Sequence, residues 1–420
     1  MRKKIITRSK KGLNSIKTKN LSVFWSITFL SVILISCGNK ISEDNLQVIN
    51  INNSLLKDTV DISNLIDTIS IIKLNENVNV PLTDPFQLYA ISQEQYVVLN
   101  YSSGDRRVIA FNKSGDYIKT IAKNGTDSTD GLNIADCFVD KNGMLIYDFA
   151  QNKITVYDTS LNLMKTVQGD KSRHYSHLAR FSQSSDYVGF ANFNLYNPNR
   201  SLIDIFDENF KTPNKSYFSF PSSDRRLLVL TYNKSFYQYG DTLRFYKHFD
   251  PSIYSITKTG VSRRFEIKYT EGSVSRNKLM SIIEQNFDKF NVDNPTPSDQ
   301  RIALFDGLAF PNGNYLENKR LIYITSQFYK KGQHKNFVSL ISKKDLHDFT
   351  TAKALTENKR FGIILPPLVE YDKYKDEHLA ILSGAQLKSV LLPGNRLMGG
   401  LSIDLPAYYL IKVKFKNETE

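Results

Sequence analysis

The strongest constraint on this chain's fold is a hairpin unit that recurs along most of its length. Residues 140–167 show it best: the turn Asp140-Lys141-Asn142-Gly143, the run Met144 to Asp148, a second turn, Lys153 to Tyr157, a third turn and Leu163 to Val167. Each run is rich in β-branched and aromatic residues, and Asn-Gly supplies the left-handed backbone that tight hairpins require. An earlier unit joins Gln95 to Leu99, Arg107 to Phe111 and Tyr117 to Ile121 around the turn Asn112-Lys113-Ser114-Gly115. Later units pair Tyr187 to Ala191 with Ser201 to Phe206, and Thr242 to Tyr246 with Ser252 to Ile256 and Arg264 to Ile267. Leu321 to Thr325 with Phe337 to Ile341, and His378 to Leu382 with Tyr408 to Val413, complete the set. Counted from Tyr96, Leu145, Val188, Leu243, Leu321 and Leu379, the steps are 49, 43, 55, 78 and 58 residues.

Units of this size, each a small sheet that cannot bury both faces alone, predict an all-β six-bladed β-propeller over residues 61–420. Closing the ring also removes the exposed sheet edges. Thr68 to Leu74 precedes the first unit and is expected to pair with the last blade, closing the ring. A pair of β-sandwiches is the alternative all-β arrangement. The longest step contains an insertion: Leu279, Ile282, Ile283, Phe287 and Phe290 recur at helical spacing. They predict one amphipathic helix within about residues 273–294, capped by Ser273 or Ser275 and stopped by Asn294-Pro295-Thr296-Pro297.

The formal charge of +13 on 420 residues would suggest an anionic polymer as partner. Eight basic residues (Arg2, Lys3, Lys4, Arg8, Lys10, Lys11, Lys17, Lys19) fall in the first 19 positions with no acid among them. The apolar run Leu21 to Ile35 follows, then Ser36-Cys37-Gly38-Asn39. A basic head, a short apolar run and a small residue at its end form a secretory signal peptide, residues 1–36. The run is shorter than the ~20 residues of a membrane-spanning helix. Leu34-Ile35-Ser36-Cys37 resembles a bacterial lipobox, so Cys37 is the expected lipid-attachment residue. Its lipid would be the link to a membrane, and the polar stretch 37–60 reads as a tether. The remainder then carries about +5, and nucleic acid is not an expected partner. With Cys37 lipidated, Cys137 is the one remaining thiol, in the apolar stretch Ile134 to Val139, and is expected to pack as a small hydrophobe.

Lipobox and blades together resemble the six-bladed β-propeller lipoproteins of Bacteroidetes, a group related to NHL-repeat propellers. The residues that carry the resemblance are Phe111 to Tyr117, Asp140 to Gly143, Tyr147-Asp148, Asn152 to Asp158, Asp241 to Phe245 and Ile253 to Ile256. It covers roughly residues 65–415 and implies architecture and an envelope location, with the outer membrane expected and its face left open. Where relatives carry a Gly-x-Gly-Pro-Gly-Glu-like loop, this chain has Asn124 to Gly131 without proline or glutamate.

Motifs for chemistry are sparse. No phosphate loop, His-Glu-x-x-His, Cys-x-x-Cys or Gly-x-Ser-x-Gly occurs, and there are six histidines in all. No catalytic residue, metal ligand or cofactor is therefore named. His174 and His177 form the one close pair, read as loop hydrogen-bonding residues rather than metal ligands. Segments linking one blade to the next cross one face of a propeller, and here they carry Lys171, Arg173, His174, His177 and Arg180, then Arg225 and Arg226, then Lys359 and Arg360. Convergent arginines suit planar anions, so these residues are the candidate ligand-binding funnel. Tyr175, Tyr196, Tyr232, Tyr237 and Tyr239 are the aromatics available for stacking on a sugar. The expected function is a membrane-anchored binding or scaffold module whose ligand is anionic, a peptide or a glycan. A metal-assisted hydrolase or lyase using the central channel is the alternative, and a structural part of an envelope complex a third.

Overall fold

The structure, a computed structural model, describes residues 41–416 except 44, 55, 76–80, 84, 103–104, 126–131, 192–200, 220–233, 247–249, 287–302, 348 and 398–401. Three strands, β1 (Gln47–Ile51), β2 (Lys57–Asp61) and β3 (Ile66–Leu74), precede the first blade. Blade 1 holds β4 (Pro85–Ala90), β5 (Gln95–Ser102), β6 (Asp105–Asn112) and β7 (Tyr117–Lys123). Blade 2 holds β8 (Ile134–Asp140), β9 (Gly143–Asp148), β10 (Lys153–Tyr157) and β11 (Leu163–Gln168). Blade 3 holds β12 (His177–Arg180), β13 (Tyr187–Phe190), β14 (Ser201–Phe206) and β15 (Pro213–Ser219). Blade 4 is β16 (Phe236–Tyr239), β17 (Thr242–Phe245), β18 (Ser252–Thr257) and β19 (Gly260–Tyr269). In blade 5, β20 (Ala309–Glu317), β21 (Leu321–Lys330), β22 (Gln333–Ser342) and β23 (Phe349–Glu357) are joined by the short β24 (Ile363–Ile364). Blade 6 runs β25 (Glu370–Asp372), β26 (Glu377–Ser383), β27 (Tyr408–Phe415), and its outer strand is β3. The inner strands meet in ring order, β4 with β8 and β25, β12 with β8 and β16, and β20 with β16 and β25. This is the six-bladed propeller that the hairpin repeat predicts.

Packing between blades follows from the two-residue period of the strands. On β5, Val97 and Leu99 face blade 2, meeting Cys137, Val139 and Ile146, while Tyr96 and Val98 face blade 6, meeting Leu379 and Leu410. Both faces are buried, so these strands read as near-continuous apolar runs rather than alternating ones. Cys137 is fully buried in this interface, and burial pushes its thiol pKa up. The turns need glycine at two places. Gly143 has φ +129° and Gly115 φ +93°, and a Cβ would strike the carbonyl of Tyr157 in the first case and of Lys73 in the second.

Ring closure is as expected: β3 pairs antiparallel with β27 from Leu74↔Tyr408 to Phe415↔Ile66. The segment expected to be a tether differs. β1 adds to the outside of blade 4, parallel to β19, and β2 adds to blade 5, parallel to β23. Ile49 and Ile51 are fully buried there despite the Asn-rich sequence around them. The chain thus straps three successive blades from outside, covering two edges that would otherwise present unpaired backbone groups. The inserted helix is α1 (Arg276–Gln285), capped by Ser275, whose Oγ accepts from Lys278 N, and Ile282 packs against the core of the neighbouring blades. Its expected stop at residues 294–297 lies outside the described residues. A second short helix, α2 (Gly384–Val390), begins with a capping box between Ser383 and Gln386.

One buried group makes blade 6 acid-sensitive. His378 on β26 is 1% exposed, lies between Tyr371 and Phe415, and its Nδ1 has no hydrogen-bond partner. Burial lowers its pKa from 6.5 to about 4. The neutral ring is therefore favoured in the fold. Its contribution is complete above pH 6.5 and is lost as pH falls towards 4, by about 3 kcal/mol. Urea midpoints at pH 7 and pH 4.5 should separate accordingly, and His378→Leu should shrink that separation.

Candidate functional site

All six inner strands run the same way, so their C-terminal ends gather at one mouth of the channel. A cavity of about 370 Å³ opens there and is lined from every blade, by Ala90, Lys141, Ser182, Gly240, Asn318 and Lys373 among others. Its floor is closed by side chains that cross the axis. Lys234, just before β16, forms an ion pair with Glu370 of β25. Its ammonium lies 4.3 Å from the centroid of Tyr89 on β4 and 5.2 Å from that of Tyr237 on β16. Blades 1 and 4 are opposite one another in a ring of six, so Lys234 spans the channel. Burial pushes the Glu370 carboxyl up, against the pull of Lys234. Tyr89 donates to the carbonyl of Cys137 at 2.7 Å, and Tyr237 to that of Gly313 at 3.2 Å, which pins both rings.

The walls are built on ion pairs between neighbouring blades. Arg180 of blade 3 holds Asp140 of blade 2 through Nε and Nη2, both at 2.7 Å. Lys113 of blade 1 meets Asp372 of blade 6 at 2.6 Å. Arg244 of blade 4 reaches Glu317 of blade 5 at 2.6 Å, where Lys343 at 2.8 Å and the hydroxyl of Tyr315 at 2.7 Å also converge. Burial alone would raise the Glu317 carboxyl, but Arg244 and Lys343 hold it below its ordinary value. Asp241 at the rim takes Lys141 at 3.1 Å and Ser182 at 3.0 Å. Lys373 differs from all of these. Its side chain is exposed and its ammonium has no ion-pair partner among the described residues, though it stands within reach of the charges of Asp140 and Glu370.

The sequence over residues 46–391 matches a family model described as a domain of unknown function, DUF4934. The chain belongs to that family. A crystal structure of a protein described as exported, from Bacteroides fragilis NCTC 9343, is similar at a TM-score of 0.67 and 14% identity, over 88% of this chain and 100% of that one. A member of the DUF4221 family from Bacteroides vulgatus ATCC 8482 is similar at a TM-score of 0.45 and 8% identity, over 84% of this chain and 98% of that one. No curated protein matches.

In this DUF4934 propeller the residues expected to form the funnel divide between places. Arg173 and His174 precede β12, at the mouth opposite the cavity. Arg173 lies 3.6 Å from Asp170 and 3.7 Å from the buried Asp204. His174 Nδ1 is 2.8 Å from the Phe149 carbonyl and its ring lies against Phe149. His177 sits on β12 itself, 3.4 Å from Asp136 and stacked on Phe190, so the two histidines serve different contacts. Arg180 belongs to the cavity end of β12, where Asp140 engages it. Arg360 donates to the carbonyls of Asp67 and Ile66, and the backbone N–H of Lys359 to Ser63 Oγ at 3.3 Å. Lys171 is exposed. Arg225, Arg226, Tyr196, Tyr232 and Cys37 lie outside the described residues. Tyr175 is buried, donating to Asp204 at 2.8 Å, while Tyr239 lines the cavity. Among the described residues no three His, Cys, Asp or Glu side chains gather as a metal site, and no helix is long and apolar enough to cross a membrane.

Residues missed from the sequence are Lys234, Glu370, Asn318 and Lys373. Each lies next to or on an inner strand that the hairpin pattern leaves unmarked, because those strands are short or interrupted by polar residues. The acidic partners of Arg180 and Arg244 are likewise 40 and 73 positions away, beyond any local pattern.

Proposed function

We propose that this protein is an exported, envelope-resident binding module that takes its ligand at the mouth formed by the C-terminal ends of the inner strands. The observation that carries the reading is the cavity to which every blade contributes, above a channel closed by Lys234 and Glu370. A closed floor and a polar rim suit capture of a ligand at the surface better than passage through the ring. The signal-like N-terminus and the exported protein of similar fold support the location. The funnel expected around Arg173 and Arg360 is less favoured because their guanidinium groups are drawn into contacts within the fold.

Lipid on Cys37 would anchor the module close to its membrane. Ser42 already bridges to Ser262 at the edge of blade 4.

Lys319 is exposed at the cavity rim, and tryptophan there would obstruct the mouth without touching the core. Immobilised protein is expected to retain a partner from envelope extract that the Lys319→Trp variant does not retain, with unchanged melting temperature. Equal retention by both proteins would count against this mouth as the site.

A further inference from the structure

The cavity's charges are unequally satisfied. Its three acids are all engaged, Glu370 by Lys234, Glu317 by Arg244 and Lys343, and Asp241 by Lys141 and Ser182. Two of its lysines, Lys373 and Lys319, have no ion-pair partner among the described residues. The unmet charge at this mouth is therefore positive. Asn318, 2% exposed, adds an unmet donor: its Oδ1 accepts from the N–H groups of Arg320 and Leu321 at 2.8 and 2.7 Å, which leaves Nδ2 without a partner in the wall. Gln238 on the neighbouring blade adds an unmet acceptor, since Nε2 donates to the Gly240 carbonyl at 2.5 Å and Oε1 has no partner. A buried polar group without a partner costs about 1–3 kcal/mol; both residues line the cavity, and a turn of either side chain would bring its unmet group to a ligand of matching polarity.

We propose that this mouth binds a small hydroxylated carboxylate, the carboxylate at Lys373 and its hydroxyl groups between Asn318 and Gln238. Phosphate is the weaker match. Forked guanidinium groups suit it best, and the nearby arginines Arg180, Arg244 and Arg320 are each bound to an acid of an adjoining blade. Point-charge ammonium groups with amide donors and acceptors suit a monoanion that also carries hydroxyls. The cavity's size falls in the range used for small ligands, and Tyr239 and Tyr371 are among the residues at its edge. The proposal rests on the binding-module reading and adds the chemistry of the ligand.

Titration calorimetry with D-glucuronate and D-gluconate, beside their neutral counterparts D-glucose and D-glucitol, tests it on the full chain without its first 36 residues. At least one carboxylate is expected to bind saturably below about 10 mM and its neutral counterpart not to bind. Lys373→Met should weaken that binding at least about tenfold, and Lys373→Arg should retain most of it. Lys373 is exposed, and unchanged melting temperatures would show that the variants fold. The proposal is overturned if no carboxylate saturates, if Lys373→Met binds as the parent does, or if the neutral compounds bind equally well. Neutral binding that Lys319→Trp blocks would overturn the ligand class alone. Retention of an envelope partner indifferent to Lys319→Trp would overturn the choice of mouth itself.

Discussion

A chain beginning at residue 75, without β1, β2 and β3, is expected to remain unfolded in water at 25 °C. β3 is the fourth strand of blade 6, paired with β27 along its whole length, and buries Ile66, Ile69 and Leu74. Each such side chain contributes about 1.5–3 kcal/mol when buried, so the three approach the whole stability of an ordinary domain, about 5–15 kcal/mol. The loss is larger than that sum, because an open ring exposes both the edge of β27 and the blade 1 face that Leu74 helps to cover. A chain beginning at residue 62 makes the contrast. It loses β1 and β2, with Ile49 and Ile51, yet every blade keeps four strands, so it should fold with a lower urea midpoint. Circular dichroism and urea titration of the two truncations check the ordering. Equal stability of both would mean that closure through β3 is not what holds the ring.

Most strands outside the inner one were legible because their signals are local, although β15 and β23 carried none that marked them. Asn142-Gly143 and the loop from Asn112 to Gly115 mark hairpins whose strands the structure places within a few residues, as at Gly143–Asp148 and Asp105–Asn112. The N-terminal strap was illegible for the opposite reason. β1 joins β19 and β2 joins β23 in parallel, over more than 200 positions of sequence, and a parallel strand has no turn to announce it. Only Ile49, Ile51 and Ile62 hint at burial in a polar stretch. α2 did carry a local sign, the Ser383 and Gln386 capping box, but seven residues are too few for periodicity to show.

Basic residues near a mouth were legible, and their occupation was not. Arg180 reads as free guanidinium until Asp140, from the preceding blade, is placed against it. A ring of blades brings such pairs together at every interface, so composition overstates the charge available to a ligand. Lys373 stands out only once its neighbours' partners are known. It lies in the run Asp372-Lys373-Tyr374-Lys375-Asp376, where the sequence alone favours none of the charges. Geometry removes Asp372, engaged by Lys113, and Asp376, engaged by Arg320 and Tyr371.

The second large effect is expected at Glu317. Glu317→Ala would leave Arg244, with 7% of its side chain exposed, and Lys343, with 16%, facing one another without their shared carboxylate. Removing one member of a buried ion pair costs about 3–5 kcal/mol, chiefly through the charge left behind. Tyr315 also loses its acceptor. The replacement pair Arg244→Met with Glu317→Leu removes both charges of the short contact, and is expected to recover much of that loss, because the desolvation cost of the guanidinium disappears with it. Lys343 can keep Tyr239 at 2.7 Å and the Asn318 carbonyl at 3.1 Å. Glu317→Gln should fall between, keeping one accepting oxygen while turning an amide nitrogen, which cannot accept, towards the donors of the other. The pH profile carries an independent sign. Glu317 is held below its ordinary pKa, so its contribution is present above that ordinary value and is lost as pH falls through the lowered one. Urea midpoints of the four proteins at pH 7 and at pH 4 therefore give the test. If Glu317→Ala and the double variant are equally destabilised at pH 7, the cost lies in lost packing between blades 4 and 5 and not in an unpaired cation.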